Sequence, residues 1–596
     1  MGTMQQEYGA GFLLENADPD QILTPEDMDD EQRMMMRAIR EFGEKDVAPV
    51  MDRVEKRDFE VVKPLFQKAA ELGIFMAEVP EQYGGLGLSV LGIAGMMESR
   101  NYLGSLASTV FAHQGIGCLP LINFGTQAQI DKYLQSCMNG TRMAAFALTE
   151  PSSGSDAMNI RTTAVLNETG THYIVNGAKQ FITNAGWADL FILFAKVDGK
   201  QFTAFLLDRD TPGLTVGPNE NLLGIRGSSV CPMNLDNSPI PVGNLLGEIG
   251  KGHKVAMCTL NLGRLKMATN SVGGAKRVLA CATKYAAERM QFGGPIADFG
   301  VIQAKLADMG ARLYASESTA YRTAGLVYHA VEAMGDEGRR SIDLKLGALS
   351  EFAIECALAK VHCSEMVNYL ADEAIQVHGG YGFSEEFAPA KMFRDWRIAR
   401  IYEGTSEVCR MSSMKHLFKK ATSGDLELGA AVDQLRSGAA NGTPSAESLE
   451  SLRAAVVTLK RVFVHLYGLL QERFGEATLL DKAHQQYVAS LADIAIEVYA
   501  AESTILRVLK LQARQPGADT ALPEALARLY FERAAGRIRQ EATEVLAALY
   551  EGDALREALQ RVEAWLPLPV GRMDRRQFVA RKLVESGGAL PEYRNG

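Results

Sequence analysis

Cysteine is scarce in this chain, and the few present carry no ligand pattern. Eight occur in 596 residues, at positions 118, 137, 231, 258, 281, 356, 363 and 409, with no CxxC pair among them. That spacing argues against both a disulfide framework and a zinc cluster. The nine histidines form neither HxxH nor HExxH, so no metal site is expected. Long apolar runs are missing too: no stretch approaches the roughly 18–20 uninterrupted apolar residues of a membrane-spanning helix. There is no GxGxxG between a strand and a helix, which argues against a nicotinamide-binding Rossmann domain. Basic charge is not in excess. A net charge of −10 argues against a dedicated nucleic-acid binder, whose affinity rests on a concentrated basic surface, but leaves room for a local basic groove. The N-terminal residues to Glu31 are rich in acids and hold no long apolar run, so neither a signal peptide nor an Arg-rich transit peptide is expected. The compartment expected is a reducing cytoplasm, most simply a bacterial one.

The length suggests about four domain-sized units, and 47% hydrophobic with 22% charged residues is ordinary for a globular chain. From about Glu26 to Gly140 the pattern is helical, with apolar positions at helical spacing over Asp29 to Glu44 and Val61 to Leu72. The run from Pro80 to Leu88 is a glycine-rich break between helices. Between Arg161 and Glu248 come short runs such as Thr171 to Val175, Phe191 to Ala195 and Phe202 to Leu207. Asn176-Gly177 and Asp198-Gly199 divide them and predict hairpin turns in a small antiparallel domain. From Val255 to about Lys420 helical periodicity returns, and helices of that length suit an antiparallel bundle. A stretch rich in Gly, Ala and Ser, with Pro444, reads as a linker. Further amphipathic helices follow, over about 447–472, 483–512 and 523–550. The fold class expected is α+β and mostly α, with boundaries at 1–145 (helical), 146–252 (sheet), 253–420 (four-helix bundle), 421–445 (linker) and 446–596 (helical extension).

Several segments carry candidate chemistry. Glu403 follows the apolar pair Ile401-Tyr402 and precedes Gly404-Thr405. A carboxylate among apolar neighbours keeps its proton more easily, the shift a general base near neutral pH requires; most single glutamates are surface charges all the same. The segment from Phe146 to Asp156 contains hydroxyls, small residues and a glycine, which lets backbone amides approach a ring or a phosphate; an ordinary Ser/Gly turn has the same composition. Lys179-Gln180-Phe181-Ile182-Thr183-Asn184, at a predicted strand end, suits stacking on a planar group with Thr183 as donor, or simply a strand end with Phe181 and Ile182 in the core. Gln376 to Phe383 ends a long helix with three glycines, fit for a C-cap or for close backbone approach to a ligand. Arg289 with Gln291-Phe292-Gly293 offers a guanidinium and an aromatic after a helix, and it equally offsets a helix dipole. Leu262-Gly263-Arg264 is predicted to precede another long helix.

In this order, the segments resemble the acyl-CoA dehydrogenase flavoprotein family over about residues 30–420. The motifs are Pro80-Glu81-Gln82-Tyr83-Gly84-Gly85, Thr149-Glu150-Pro151 with Gly154-Ser155-Asp156, Arg289 with Gln291-Phe292-Gly293, and Ile401-Tyr402-Glu403-Gly404-Thr405. The nearest likeness is to the very-long-chain branch, which carries a C-terminal helical extension. The resemblance implies FAD lying between an N-terminal helical domain, a middle β domain and a helical bundle. Phe146, Leu148 and Thr149, with Gly154 and Ser155, match the segment contacting the flavin ring. Phe181, Ile182 and Thr183 match the strand on its other side. Arg289, Gln291, Phe292, Gln376, Gly379 and Gly380 match positions reaching the FAD of a neighbouring subunit, so a homodimer is implied. Ser155 and Asn261 match positions holding the CoA portion of the substrate, and Arg264, Tyr402 and Gly404 are also expected at the substrate. Thr405 and Glu407 are expected on the cofactor side of the same turn, with Glu407 structural and no second base.

The resemblance makes Glu403 the base that removes the pro-R α-proton of an acyl thioester while a hydride leaves the β-carbon for flavin N5. The backbone N–H of Glu403 and the ribityl 2′-hydroxyl of FAD would stabilise the enolate oxygen, a donor of this kind being worth ~3–4 kcal/mol. In the isovaleryl-type branch the base precedes the Leu-x-Arg arginine; that position is Gly263 here, which cannot serve. The product would be a trans-2-enoyl-CoA, with electrons passing to electron-transfer flavoprotein. The far end of the acyl pocket corresponds to Ser105–Gln114, where Val110 and Phe111 are bulky among small residues; long-chain preference is the expectation. An acyl-CoA oxidase using oxygen and a non-enzymatic assembly or scaffold relative are the alternatives, the first separated by oxygen consumption and the second by loss of the base, which is present. A weak membrane contact through Leu426–Leu435 is the lesser expectation beside a loose solvated linker, because basic charge there is sparse.

Overall fold

The computed structural model describes residues 8–335, 341–438, 448–567, 569 and 571–591. They form two compact units: one of residues 29–266 with 334–346, the other of the segment up to Met28, residues 267–333 and the chain from Gly347 on.

The first unit starts with helices α1 (Asp30–Phe42), α2 (Phe59–Glu71), α3 (Val90–Ser99) and α4 (Gln127–Met138). Asp29 begins α1 with a reciprocal cap, its side chain accepting from Gln32 N while Gln32 accepts from Asp29 N. Thr126 and Gln129 repeat the device on α4, satisfying amides that would otherwise lack partners. Ile39, Phe42, Val62, Phe66, Phe75, Met96 and Met97 close a core here. Between α3 and α4 the chain widens into a π-helical stretch, Ala112–Cys118.

A sheet of eight strands follows: β1 (Ala144–Ala147), β2 (Thr163–Leu166), β3 (His172–Thr183), β4 (Leu190–Val197), β5 (Gln201–Asp208), β6 (Leu214–Val216), β7 (Val230–Pro241) and β8 (Leu245–Leu246). The order is β6-β7-β3-β2-β4-β5-β8, with β1 joined to β4. Most pairings are antiparallel, as expected, while β1 and β2 run parallel to β4. Asp198 and Gly199, both at positive φ, close the β4–β5 hairpin. Asn176-Gly177 does not turn the chain. It lies inside β3, where pairing with β7 continues across a register shift between Val175 and Gly177. The glycine answers to sterics there: a Cβ at 177 would sit 2.4 Å from Thr162 Oγ1.

Helix α5 (Gly252–Glu288) belongs to the first unit through Lys266 and to the second from Met267. Leu262-Gly263-Arg264, predicted to precede a helix, lies within it because the helix already starts at Gly252. The second unit is helical apart from a two-stranded ribbon that pairs Met290-Gln291 with Gly294-Pro295. Its bundle includes α6 (Gly300–Ala333), α7 (Ala353–His378) and α8 (Ser406–Ser423), with α7 packed on both α6 and α8. The extension includes α9 (Leu428–Arg436), α10 (Leu449–Phe474), α11 (Gln485–Arg514), α12 (Ala521–Leu549) and α13 (Arg572–Glu585). Helix α11 packs on α10 and α12 within the extension, and on α6 and α8 of the bundle, so the two helical layers share one core.

Two further expectations change. Residues 8–28 were expected with the N-terminal helices, yet they belong to the bundle and extension. Buried charge holds them: Arg507 Nη2 pairs with Glu26 Oε1 at 2.6 Å and Lys510 Nζ with Asp27 Oδ2 at 2.6 Å. The loose solvated linker is ordered over α9, whose Leu428 and Val432, with Leu426 just before it, are buried. Helix α9 packs on α10, where Val432 lies over Gly468. These apolar side chains are therefore covered by protein and do not form a lipid-facing surface. The rest of the expected linker, 439–445 with Pro444, lies outside the described residues. Among the described residues no helix is long and apolar enough to cross a membrane.

Candidate active site

In the first unit, a buried histidine fixes the strand that leads into the candidate site. His113, on the π-helical stretch, accepts at Nδ1 from Ala144 N (2.9 Å) while Nε2 lies 3.1 Å from Cys137 O. Its ring meets Phe66 and Phe75 edge-on, and burial pushes its pKa down to about 4. It is thus a neutral ring, donating from Nε2 and holding β1 by its first amide. Val110 and Phe111 belong to the same helical core as Phe66 and Phe75.

Beyond β1, Phe146 is half-buried against Phe194, 5.1 Å between ring centroids. Leu148 turns into the core, and Thr149 is half-buried. Gln180 N donates to Thr149 O (2.9 Å). Lys179, fully buried, reaches Leu148 O at 3.3 Å and Glu150 Oε1 at 2.7 Å. Glu150 also accepts from Arg161 N (2.6 Å), Thr162 N (3.1 Å) and the Thr162 hydroxyl. Burial lowers Lys179 to about 8 even with Glu150 opposing it. Burial would raise Glu150, but Lys179, Thr162 and Arg161 together hold it below the usual carboxylate value. Segment 148–150 is therefore clasped to the end of β3 by a buried ion pair and a backbone bond.

The end of β3 carries a second register shift against β7, between Lys179 and Ile182. Bulges of this kind re-aim side chains. Phe181 adopts φ +57° and stands 58% exposed, whereas Ile182 is buried in the sheet core. Thr183 is half-buried, and Asn184 anchors the turn through Nδ2 to Thr109 O (2.9 Å). Gly154 and Ser155 are exposed on the loop after Glu150, which folds back through paired backbone bonds between Glu150 and Ser153. Within α5, the buried Arg264 donates to Asn261 Oδ1 at 3.1 Å.

In the second unit, the residues around Arg289 and the turn after α7 come together. Tyr285 stacks on His378 with centroids 4.0 Å apart, and Arg289 lies 5.7 Å from the Tyr381 ring. Gln291, Gln376, Gly379 and Gly380 are exposed; Phe292 is 93% and Phe383 85% exposed.

Glu403 is half-buried in a loop between Arg400 and α8. Its φ of +56° is left-handed for a side-chain-bearing residue, and Gly404 follows at φ +91°. Such a backbone costs ~1–3 kcal/mol and persists only when its surroundings over-determine it. They do here. The fully buried Lys360 on α7 donates to Gly404 O at 2.6 Å, and Thr405 caps α8 by accepting from Val408 N. Tyr402 is half-buried. Glu407 is exposed in the first turn of α8, its pKa lowered chiefly by its own backbone N–H.

Family models described as acyl-CoA dehydrogenase N-terminal, middle and C-terminal domain match residues 29–141, 145–238 and 250–418, and a further acyl-CoA dehydrogenase C-terminal domain matches 458–563. A probable acyl-CoA dehydrogenase of Bacillus subtilis is 42% identical over 562 residues, covering 93% of each chain. The chain belongs to the acyl-CoA dehydrogenase family. The human mitochondrial very long-chain specific acyl-CoA dehydrogenase is 33% identical, covering 98% of this chain and 88% of its own. The crystal structure of an acyl-CoA dehydrogenase complexed with FAD from Bacillus anthracis superposes with a TM-score of 0.94 at 38% identity, covering 98% of this chain and all of that one.

Glu150, Lys179 and Lys360 gain their roles only in the structure of this family member. Glu150 and Lys179 lie inside motifs that the sequence singles out, but nothing local announces that they pair. Lys360 sits in a helix that no motif marks. Only burial and partners give these residues meaning.

Proposed function

We propose that this chain is an FAD-dependent acyl-CoA dehydrogenase acting in fatty-acid β-oxidation. The observation that carries the reading is Glu403, a half-buried carboxylate held in a left-handed backbone by Lys360 and the Thr405 cap. A base fixed in one orientation contributes proton transfer without reorganisation. The residues present fit FAD. Phe181 leaves apolar surface open beside Thr149, and Arg289 with the 376–380 turn supplies a guanidinium and exposed glycines suited to a diphosphate. When bound, FAD supplies the two-electron acceptor for the β-hydride. Phe146, Thr149, Phe181 and Thr183 would hold its ring, and Gln291, Phe292, Gln376, Gly379 and Gly380 would reach the FAD carried by a neighbouring subunit. Ser155, Asn261, Arg264, Tyr402 and Gly404 would orient the acyl thioester. Glu403 would take the α-proton, and its backbone N–H would steady the enolate oxygen.

Long-chain substrates are the further reading, supported by the very long-chain specific human relative and by the seating of Val110 and Phe111 in the N-terminal core. A homodimer is supported by the exposure of Phe292 and Phe383, apolar surface that a second copy would cover. Family membership supports electron-transfer flavoprotein as the electron acceptor. The test is an anaerobic visible spectrum titrated with C4, C8 and C16 acyl-CoA. Bleaching of the flavin band is expected, fastest with C16, and none in Glu403→Gln at unchanged FAD content. Bleaching in that variant refutes the base. Stoichiometric oxygen consumption in air would favour the oxidase.

A further inference from the structure

The loop bearing Glu403 is fastened at two levels. Lys360 and the Thr405 cap hold Gly404 and the start of α8 directly. One turn further along α8, Arg410 makes a fork-to-fork contact with Glu365 of α7, Nη1–Oε1 2.8 Å and Nη2–Oε2 3.0 Å. The same guanidinium turns its other edge to the extension. Nε and Nη2 reach Asp493 Oδ1 of α11 at 2.9 and 2.7 Å. Paired bonds of this kind fix orientation as well as distance. Arg410 and Asp493 are mostly buried, and Glu365 is half-buried. Arg400, just before the loop, lies 4.0 Å from Glu365. Asp493 also faces Arg537 of α12 at 3.7 Å, and Arg537 pairs in turn with Glu541 at 2.6 Å.

We propose that Asp493, in the C-terminal extension, is a positioning residue for the reaction, acting through Arg410 to hold α8 and the loop that carries Glu403. The extension is then part of the device that orients the base, and more than a packing layer. Arg410 is pinned between a bundle carboxylate and an extension carboxylate. With Asp493 neutralised, the guanidinium keeps Glu365 alone, and α8 gains freedom to rock on α7. A left-handed glutamate relies on its neighbours to stay in place, so movement of α8 reaches the base first. The inference rests on the reading of Glu403 as base.

Stopped-flow reduction of the FAD-loaded enzyme with saturating C16 acyl-CoA, without oxygen, tests it. Asp493→Asn should reduce the flavin about tenfold more slowly while the substrate concentration for half-maximal rate changes less than twofold. Amide exchange across 401–410 should quicken, and Asp493→Glu should restore part of the rate. Arg533→Gln is the control. It breaks the pair of Arg533 with the buried Glu497, also on α11, without touching Arg410, and should leave the reduction rate within twofold. A wild-type rate in Asp493→Asn overturns the proposal. So does equal slowing in Arg533→Gln, because loss of extension stability would then explain the effect. Glu403→Gln separates the two readings. If it still bleaches, the base reading fails whatever Asp493 does; if it is inert and Asp493→Asn is normal, only the role of the extension falls.

Discussion

Replacing Lys179 with methionine tests how the middle domain holds segment 148–150. The side chains of Lys179 and Glu150 are 0% and 3% exposed, and their charged atoms are 2.7 Å apart. Breaking a buried pair from one side costs ~3–5 kcal/mol, because a charge is left without its partner. Glu150 keeps bonds from Arg161 N, Thr162 N and the Thr162 hydroxyl, so the low end, ~3 kcal/mol, is expected. That is roughly a hundredfold in the local opening constant. Hydrogen exchange of the amides in 144–150 and 178–184 reads it directly. Lys179→Met/Glu150→Gln removes both charges and should recover about 2 kcal/mol of the loss, since no unpaired charge remains. The sign of the pH dependence gives a second check. Burial depresses Lys179 from 10.5 to about 8, so the unfolded chain holds this proton more tightly. Its contribution to stability is complete above about 10.5 and is lost as pH falls through about 8. Native protein should therefore gain local stability across that window relative to Lys179→Met. Equal exchange in the native protein and both variants, or a flat difference between pH 8 and 10.5, would refute the reasoning.

Other outcomes follow from the second unit. Phe292→Glu places a charge on a ring that is 93% exposed, and should shift sedimentation from dimer to monomer if a second copy covers it. Thr405→Ala removes the cap of α8 and should cost ~1 kcal/mol, read as faster amide exchange at 406–410. Burial would raise Glu497, but Arg533 and His362 hold it at about 2, below its ordinary 4.5. Its stabilisation is complete above about 4.5 and fades as pH falls towards 2. Circular dichroism of Arg533→Gln should show unfolding beginning at higher pH on the acid limb.

Much of the fold is legible in local pattern. Helical spacing marks α1 and α2 to within a few residues, and Asp198-Gly199 marks its hairpin, because turn geometry depends on the turn residues themselves. Asn176-Gly177 carries the same local signal and misleads. There, pairing with β7 extends β3 through the dipeptide, and Thr162 excludes any side chain at 177. The stretch rich in Gly, Ala and Ser after α8 reads as flexible, yet Leu428 and Val432 find a surface on α10 that no local rule contains.

The candidate site divides in the same way. Residue identity supplied Glu403, Phe181, Thr183 and Arg289, and motif order supplied the family, since both are properties of the chain read along its length. Conformation and partnership were decided elsewhere. The bulge that turns Phe181 outward depends on a strand some fifty residues away, β7. The left-handed backbone of Glu403 depends on Lys360, and the bracing of α8 joins Arg410 to Glu365 and to Asp493 across α7 and α11. The reason is physical: propensity and spacing act over a few residues, whereas burial and charge pairing act between groups that only packing brings within 3 Å.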